Sequence, residues 1–133
     1  MIPQATQTAL SEISFESYPS LTYALNLETN RIHGKTDGLE AVRQAVYLIL
    51  CTERYQYLIY SWNYGAELAQ LIGQPIALVL PEIERCVKEA LTQDDRITAV
   101  DNFDFEVNHN KVHCSFTVHS IFGETQAETE ALI

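Results

Sequence analysis

The sequence predicts a small single α+β domain: an N-terminal β-hairpin, two main helices with a short helix between them, and C-terminal antiparallel strands. Two patterns carry this. Apolar residues alternate with period two early and late in the chain, while two central stretches place them at helical spacing. Composition agrees, since 47% hydrophobic and 20% charged residues over 133 positions are globular values. A chain of this length buries roughly two thirds of its unfolded surface in one core.

Residues 1–20 are polar, contain Pro3 and Pro19, and hold no sustained period. They are expected to form an extended arm before a domain spanning 21–122. They lack the basic start and apolar centre of a signal peptide, which predicts a protein kept inside the cell or built into something assembled there. In LTYALNLETNRIHG, Tyr23, Leu25 and Leu27 alternate with small or polar residues. The polar turn Glu28–Arg31 then leads to a return strand. The period changes at TDGLEAVRQAVYLILCTER. Asp37 and Glu40 suit a capping box, and Leu39, Val42, Val46 and Ile49, widened by Ala45 and Leu50, predict a core helix over 38–52. GAELAQLIG reads as a short helix ended by Gly73 and Pro75. A second main helix is expected to start near Pro81, with Glu82 and Glu84 in its first turn and Ile83, Val87, Ala90 and Leu91 as its stripe. Ile97–Val100 begins a further strand, and Phe103–Val107 and Val112–Val118 form an antiparallel pair. The tail at 123–133 (GETQAETEALI) is acidic, shows no core signal, and is expected to be frayed or weakly helical.

Eight basic against eighteen acidic residues give a net charge of −10. That opposes binding to nucleic acid or an anionic membrane, both of which require cationic neutralisation. No apolar run is long enough to span a bilayer. Cys51, Cys86 and Cys114 are odd in number and form no C-x-x-C, so buried inert thiols are the expected reading. His109, His113 and His119 lie on or beside the last hairpin. On a strand His113 and His119 are about 20 Å apart, too far for joint ligation, so no metal and no cofactor is expected.

The densest chemistry lies in CTERYQYLIYSWNYGAEL, which holds four of the seven tyrosines and the only tryptophan beside Glu53 and Arg54. A glycosidase would need two carboxylates, one kept protonated, with aromatic walls. Glu53 with Asp94 or Asp95 could supply the pair. Arg54 beside Glu53, and Arg96 after the aspartates, argue for ionised carboxylates instead, hence a structural ion-pair cluster. Base stacking would need a cationic groove that the scattered lysines and arginines do not provide. Tyr, Trp and Arg are the residues of interface hot spots, so the rings either dock a protein or close the domain's own core.

The run from Asp37 to Leu68, followed by LIGQPIALVLPEIERCVKEALTQDDRITAVDNFDFEV, resembles the XkdS-type proteins of the PBSX defective prophage. These belong to the baseplate-wedge family of contractile phage tails, once labelled tail lysozymes. The resemblance covers about residues 20–124. Thr52-Glu53-Arg54 matches the family's G-E-R step without its glycine. Asp94-Asp95-Arg96-Ile97 matches its E-P-R-I motif with aspartates for Glu and Pro. Arg96 and Ile97 therefore carry over directly, and Asp94 only as a shorter carboxylate. The resemblance implies a non-enzymatic structural wedge component in the baseplate of a contractile phage tail or tail-like particle, docking on the wedge core bundle and nucleating sheath assembly, and assembled in the host bacterial cytoplasm. It implies contacts with other wedge proteins and the tail sheath protein, with six copies per ring; the acidic charge balance adds the expectation of no nucleic acid and no membrane partner. The expected partner-binding residues are Glu53, Arg54, Tyr57, Tyr60, Trp62, Tyr64, Asp94, Arg96 and Ile97. The alternative is a peptidoglycan-hydrolysing tail lysozyme. A regulatory binding module is a third reading.

Overall fold

The computed structural model describes residues 20–133; the expected arm lies outside them apart from Ser20. The expected α+β order is observed. Strand β1 (Thr22–Asn26) pairs antiparallel with β2 (Arg31–Thr36). Helix α1 (Gly38–Cys51) and helix α2 (Ile76–Leu91) follow, joined by a long loop. The chain ends in a second antiparallel sheet of order β3 (Ile97–Asn108), β4 (Lys111–Ser120), β5 (Gly123–Leu132).

The hairpin is fixed to α1 by one side chain. Leu25 N–H donates to Gln44 Oε1 (2.8 Å) and Gln44 Nε2 donates to the Tyr23 carbonyl (2.8 Å). The amide thus stands in for a neighbouring strand on the outer edge of β1. Asp37 caps α1, its Oδ1 accepting from Gly38 N–H (2.7 Å) and from the buried Ser20 hydroxyl (2.6 Å). The expected capping box does not form, because Asp37 accepts from Gly38 N–H and not from that of Glu40, and the Glu40 carboxylate pairs with Arg43 (3.2 Å) instead of reaching back. The predicted stripe is observed at Val42, Val46 and Ile49, with Ala41 also buried.

Three expectations need correcting. The short helix is only a single 3₁₀ turn at Ala69–Leu71. The residues before it are drawn into an extended bridge, with Ala66 N–H donating to the Thr52 carbonyl (3.0 Å) and Arg54 N–H to the Ala66 carbonyl (3.2 Å). Helix α2 starts at Ile76, so Pro81 lies inside it and Glu82 and Glu84 beyond its first turn. An interior proline costs about 3 kcal/mol. Burying Val79 completely and Leu80 in part, at roughly 1.5–3 kcal/mol for a fully buried side chain, offsets that cost, so the apolar run ahead of the proline continues the helix. The acidic tail is β5, paired with β4 along its whole length. Its inward positions are Thr125, Ala127, Thr129 and Ala131, which alternate with exposed polar residues. Threonine and alanine carry the period without hydropathy, so the sequence shows little core signal there.

The two expected segments of β3 are one strand, kinked by bulges near Thr98 and Asn102, the latter at φ 54°. Val112, Cys114, Phe116 and Val118 of β4 point inward onto a core that includes Val46, Val79, Ile83 and Val87 of the helices. Among the described residues no helix is long and apolar enough to cross a membrane.

Candidate functional site

The loop from Thr52 to Ala66 is built from its two ends. Gly65 sits at φ +99°, where a Cβ would lie 2.6 Å from the Thr52 carbonyl oxygen. Only glycine lets the two strands of the bridge approach so closely. Between the ends, Arg54 turns inward and is 9% exposed. Its Nη1 donates to Glu89 Oε1 on α2 (2.8 Å) and its Nε to the Gly65 carbonyl (3.3 Å). The loop is thereby tied to α2 by a buried guanidinium. Arg54 lies above all by its hydrogen bond to Glu89 in holding that carboxyl below the usual carboxylate range, and Arg85 braces the other Glu89 oxygen (2.9 Å).

Rings order the remainder. Tyr60 stacks on Tyr64 at 4.6 Å, Tyr57 meets Tyr60 edge-on at 6.2 Å, and Tyr55 meets Trp62 edge-on at 6.3 Å. Tyr64 packs against the core, and burial pushes its hydroxyl pKa up. The tip is different. Leu58 is 103% exposed, Ile59 85% and Trp62 80%. Tyr55–Ala66 contains no charged residue. The loop is an ordered, uncharged, apolar projection on an acidic molecule, and exposed apolar clusters of this kind mark interaction sites.

Contrary to expectation, Arg54 does not hold Glu53 ionised. In extended backbone, successive side chains point to opposite sides, so Arg54 faces Glu89 while Glu53 faces the 3₁₀ turn. Burial raises the Glu53 pKa, the backbone N–H of Ala69 lowers it, and the charge of Glu67 raises it; the net shift is upward. Asp94 behaves oppositely. Burial works to raise it, but the Arg96 side chain (2.9 and 2.7 Å) and Arg96 N–H (3.0 Å) outweigh this and hold it low. This carboxylate–guanidinium corner turns the chain from α2 into β3.

The expected partner residues thus divide. Tyr57, Tyr60 and Trp62 are exposed, and Glu53 and Tyr64 half-buried. Asp94 and Arg96 are occupied with each other at the rim of a groove of about 450 Å³, which Ser20, Leu48 and Asp95 also line. Arg54 and Ile97 are buried. The residues that sequence reasoning missed are Leu58 and Ile59, an aperiodic apolar pair whose only signal was its uncharged surroundings, and Glu89, hidden within a helix.

The thiols also divide. Cys86 and Cys114 are buried, and burial pushes Cys114 up to about 12. Cys51 is exposed, contrary to expectation, because it sits at the open end of α1 off the buried stripe. His113 faces Glu128 (3.2 Å) and Glu130 (3.7 Å), and His119 faces Asp101 (2.8 Å) and Glu124 (3.1 Å), all on the outward side of the C-terminal sheet.

Comparison with known proteins adds two findings. The family model described as contractile injection system sheath initiator matches residues 21–123. A protein of Bacillus subtilis (strain 168), phage-like element PBSX protein XkdS, is 42% identical over 113 residues, covering 82% of this chain and 80% of the relative.

Proposed function

The chain belongs to the contractile injection system sheath initiator family, and from that premise we propose how it performs a structural, sheath-initiating role in a phage tail. It docks on the other baseplate wedge proteins through the 52–66 loop and the Asp94–Arg96 corner, and offers sheet edges to the tail sheath protein. Six copies act per baseplate, assembled in the host cytoplasm. The observation that carries this is the ordered apolar tip formed by Leu58, Ile59 and Trp62. A loop whose rings already pack on one another and whose base is anchored gives up less conformational entropy on docking. Burying each of these side chains contributes roughly 1.5–3 kcal/mol.

Sheath-type assembly by strand addition uses extended segments and open edges. Because the tail is already β5, it acts as an edge that receives a strand. The donating segment is residues 1–20. Arg54 and Ile97 support the docking surface from beneath; contact is made by Tyr57, Tyr60 and Trp62, with Leu58 and Ile59 added.

The test is tail assembly with Leu58→Ser/Ile59→Ser/Trp62→Ala, a variant expected to fold and to lose incorporation into baseplates. Normal particles from it would sink the docking role of the loop. The raised pKa of Glu53 is the one feature that favours the hydrolase reading. It comes first from burial at a loop base, and Glu53 does not line the groove beside Asp94 and Asp95. No clearing of peptidoglycan in a zymogram is expected from the wild-type protein; clearing that Glu53→Gln removes would establish the hydrolase.

A further inference from the structure

The charges of the described residues are sorted unevenly. Of eight lysines and arginines, six lie within ion-pair distance of a carboxylate: Arg43, Arg54, Arg85, Lys88, Arg96 and Lys111. The other two, Arg31 and Lys35, are both exposed on β2 and meet no carboxylate among the described residues. Lys35 lies over the Tyr23 ring at 5.9 Å instead. Gln44 occupies the far edge of β1, so the open edge of the hairpin is β2. The register places Arg31 opposite Asn26 and Lys35 opposite Tyr23, with the irregularity between them. The two cations therefore leave opposite faces of the hairpin and flank its open edge.

The opposite arrangement occupies the outward face of the C-terminal sheet. Asp101, Asp104 and Glu106 of β3 and Glu124, Glu128 and Glu130 of β5 are all exposed. They lie in register across His113, Ser115, Thr117 and His119 of β4, the residues that alternate with the buried side of that strand. The helices pack on the other, apolar side of the sheet; on this side Ser115 and Glu128 border a groove shared with α1 and β1, and the carboxylates of β3 lie outside it.

We infer that the β2 edge of one copy docks on the acidic sheet face of a second copy of this chain. Both halves of the charge complementarity are present on one molecule, which is what selects a second copy as occupant. The two surfaces differ, so the contact is head-to-tail and leaves one cationic edge and one acidic face free at its ends. Each copy carries −10 overall, but at physiological salt that repulsion is screened beyond about 8 Å. The opposed pairs at contact are screened less. The inference is independent of the loop docking proposed above and uses none of its residues.

Sedimentation equilibrium of the full chain tests it. The wild type is expected to self-associate at about 0.1 M salt and to become monomeric at about 1 M, where the Debye length is about 3 Å. Arg31→Glu/Lys35→Glu, and separately Asp104→Lys/Glu106→Lys, should each weaken self-association roughly tenfold or more, since like charges then oppose one another. In an equimolar mixture of the two variants the intact edge of one meets the intact face of the other, and the two reversed surfaces are again opposite in charge. The mixture should therefore regain association, to dimers or larger. A wild type that stays monomeric at about 0.1 M salt, variants that associate like the wild type, or a mixture that fails to form dimers each overturns the inference. Unchanged circular dichroism of both variants, expected for exposed positions, separates lost contact from lost fold.

Discussion

The 52–66 loop and the outward face of the C-terminal sheet are both exposed surfaces, yet they are built in reverse. In the loop the charges turn inward, Arg54 onto Glu89 and Glu53 onto the 3₁₀ turn, while leucine, isoleucine and tryptophan face solvent. On the sheet the apolar side chains are inside and the carboxylates and histidines outside. A partner would meet apolar area on the first and charge on the second. The first favours affinity through desolvation, the second salt-dependent steering and register. The difference also predicts where substitutions act on folding and where they act only on assembly.

The largest effect on the loop side is expected from Gly65→Ala. The added Cβ meets backbone at 2.6, 3.0 and 3.2 Å, which no side-chain rotation relieves. A strained φ of this kind and the forced separation of the bridge should cost about 3 kcal/mol, read as a lower urea midpoint. Arg54→Ala ranks next. It removes a charged hydrogen bond to Glu89 and one to the Gly65 carbonyl, for a loss of about 2 kcal/mol. Glu89 keeps Arg85 and is not left as an isolated buried charge, so a greater loss is not expected. Should both variants unfold at the wild-type midpoint, the loop's order does not depend on its base and the comparison fails.

The hairpin, the stripe of α1 and the β3–β4 pair were legible because alternating or helical apolar residues carry them. The start of α2 was not. Pro81 is a strong local signal, and the tertiary burial of Val79 and Leu80 offsets it. Strand β5 was obscured because its inward side uses threonine and alanine. At the site, the residue types were legible and their directions were not. Glu53 and Arg54 are adjacent in sequence, so their charges looked like partners. Their extended backbone sends them to different neighbours, and the true partner, Glu89, is 35 residues from Arg54. Sequence proximity overstates electrostatic proximity wherever the backbone is extended.

On the sheet side the expected effect is a pH dependence. His119 has its pKa raised, first by the hydrogen bond to Asp101 and then by the charges of Asp101 and Glu124, with desolvation opposing. A folded-state pKa above the unfolded value of about 6.5 means the folded protein binds the proton more tightly. The resulting stabilisation is fully present below about pH 6.5 and is lost as pH rises through the folded-state value. Melting temperature should therefore fall modestly as pH rises from about 6 to about 8, and His119→Gln should flatten that part of the profile. An identical slope in the variant would assign the pH dependence to other groups.

The smallest folding effect is expected at the loop tip. Leu58 has no burial to lose, so Leu58→Ser should leave the urea midpoint within the equivalent of about 0.5 kcal/mol of the wild type. Trp62→Ala should cost slightly more, because the edge-on contact with Tyr55 is worth about 0.5–1.5 kcal/mol. These near-neutral values give the assembly experiment its force. A residue that contributes nothing to folding yet is needed for baseplate incorporation must act through a partner. If instead Leu58→Ser destabilises the isolated chain as much as Arg54→Ala does, the tip is packed in solution and the contrast between an outward apolar loop and an outward charged sheet no longer holds.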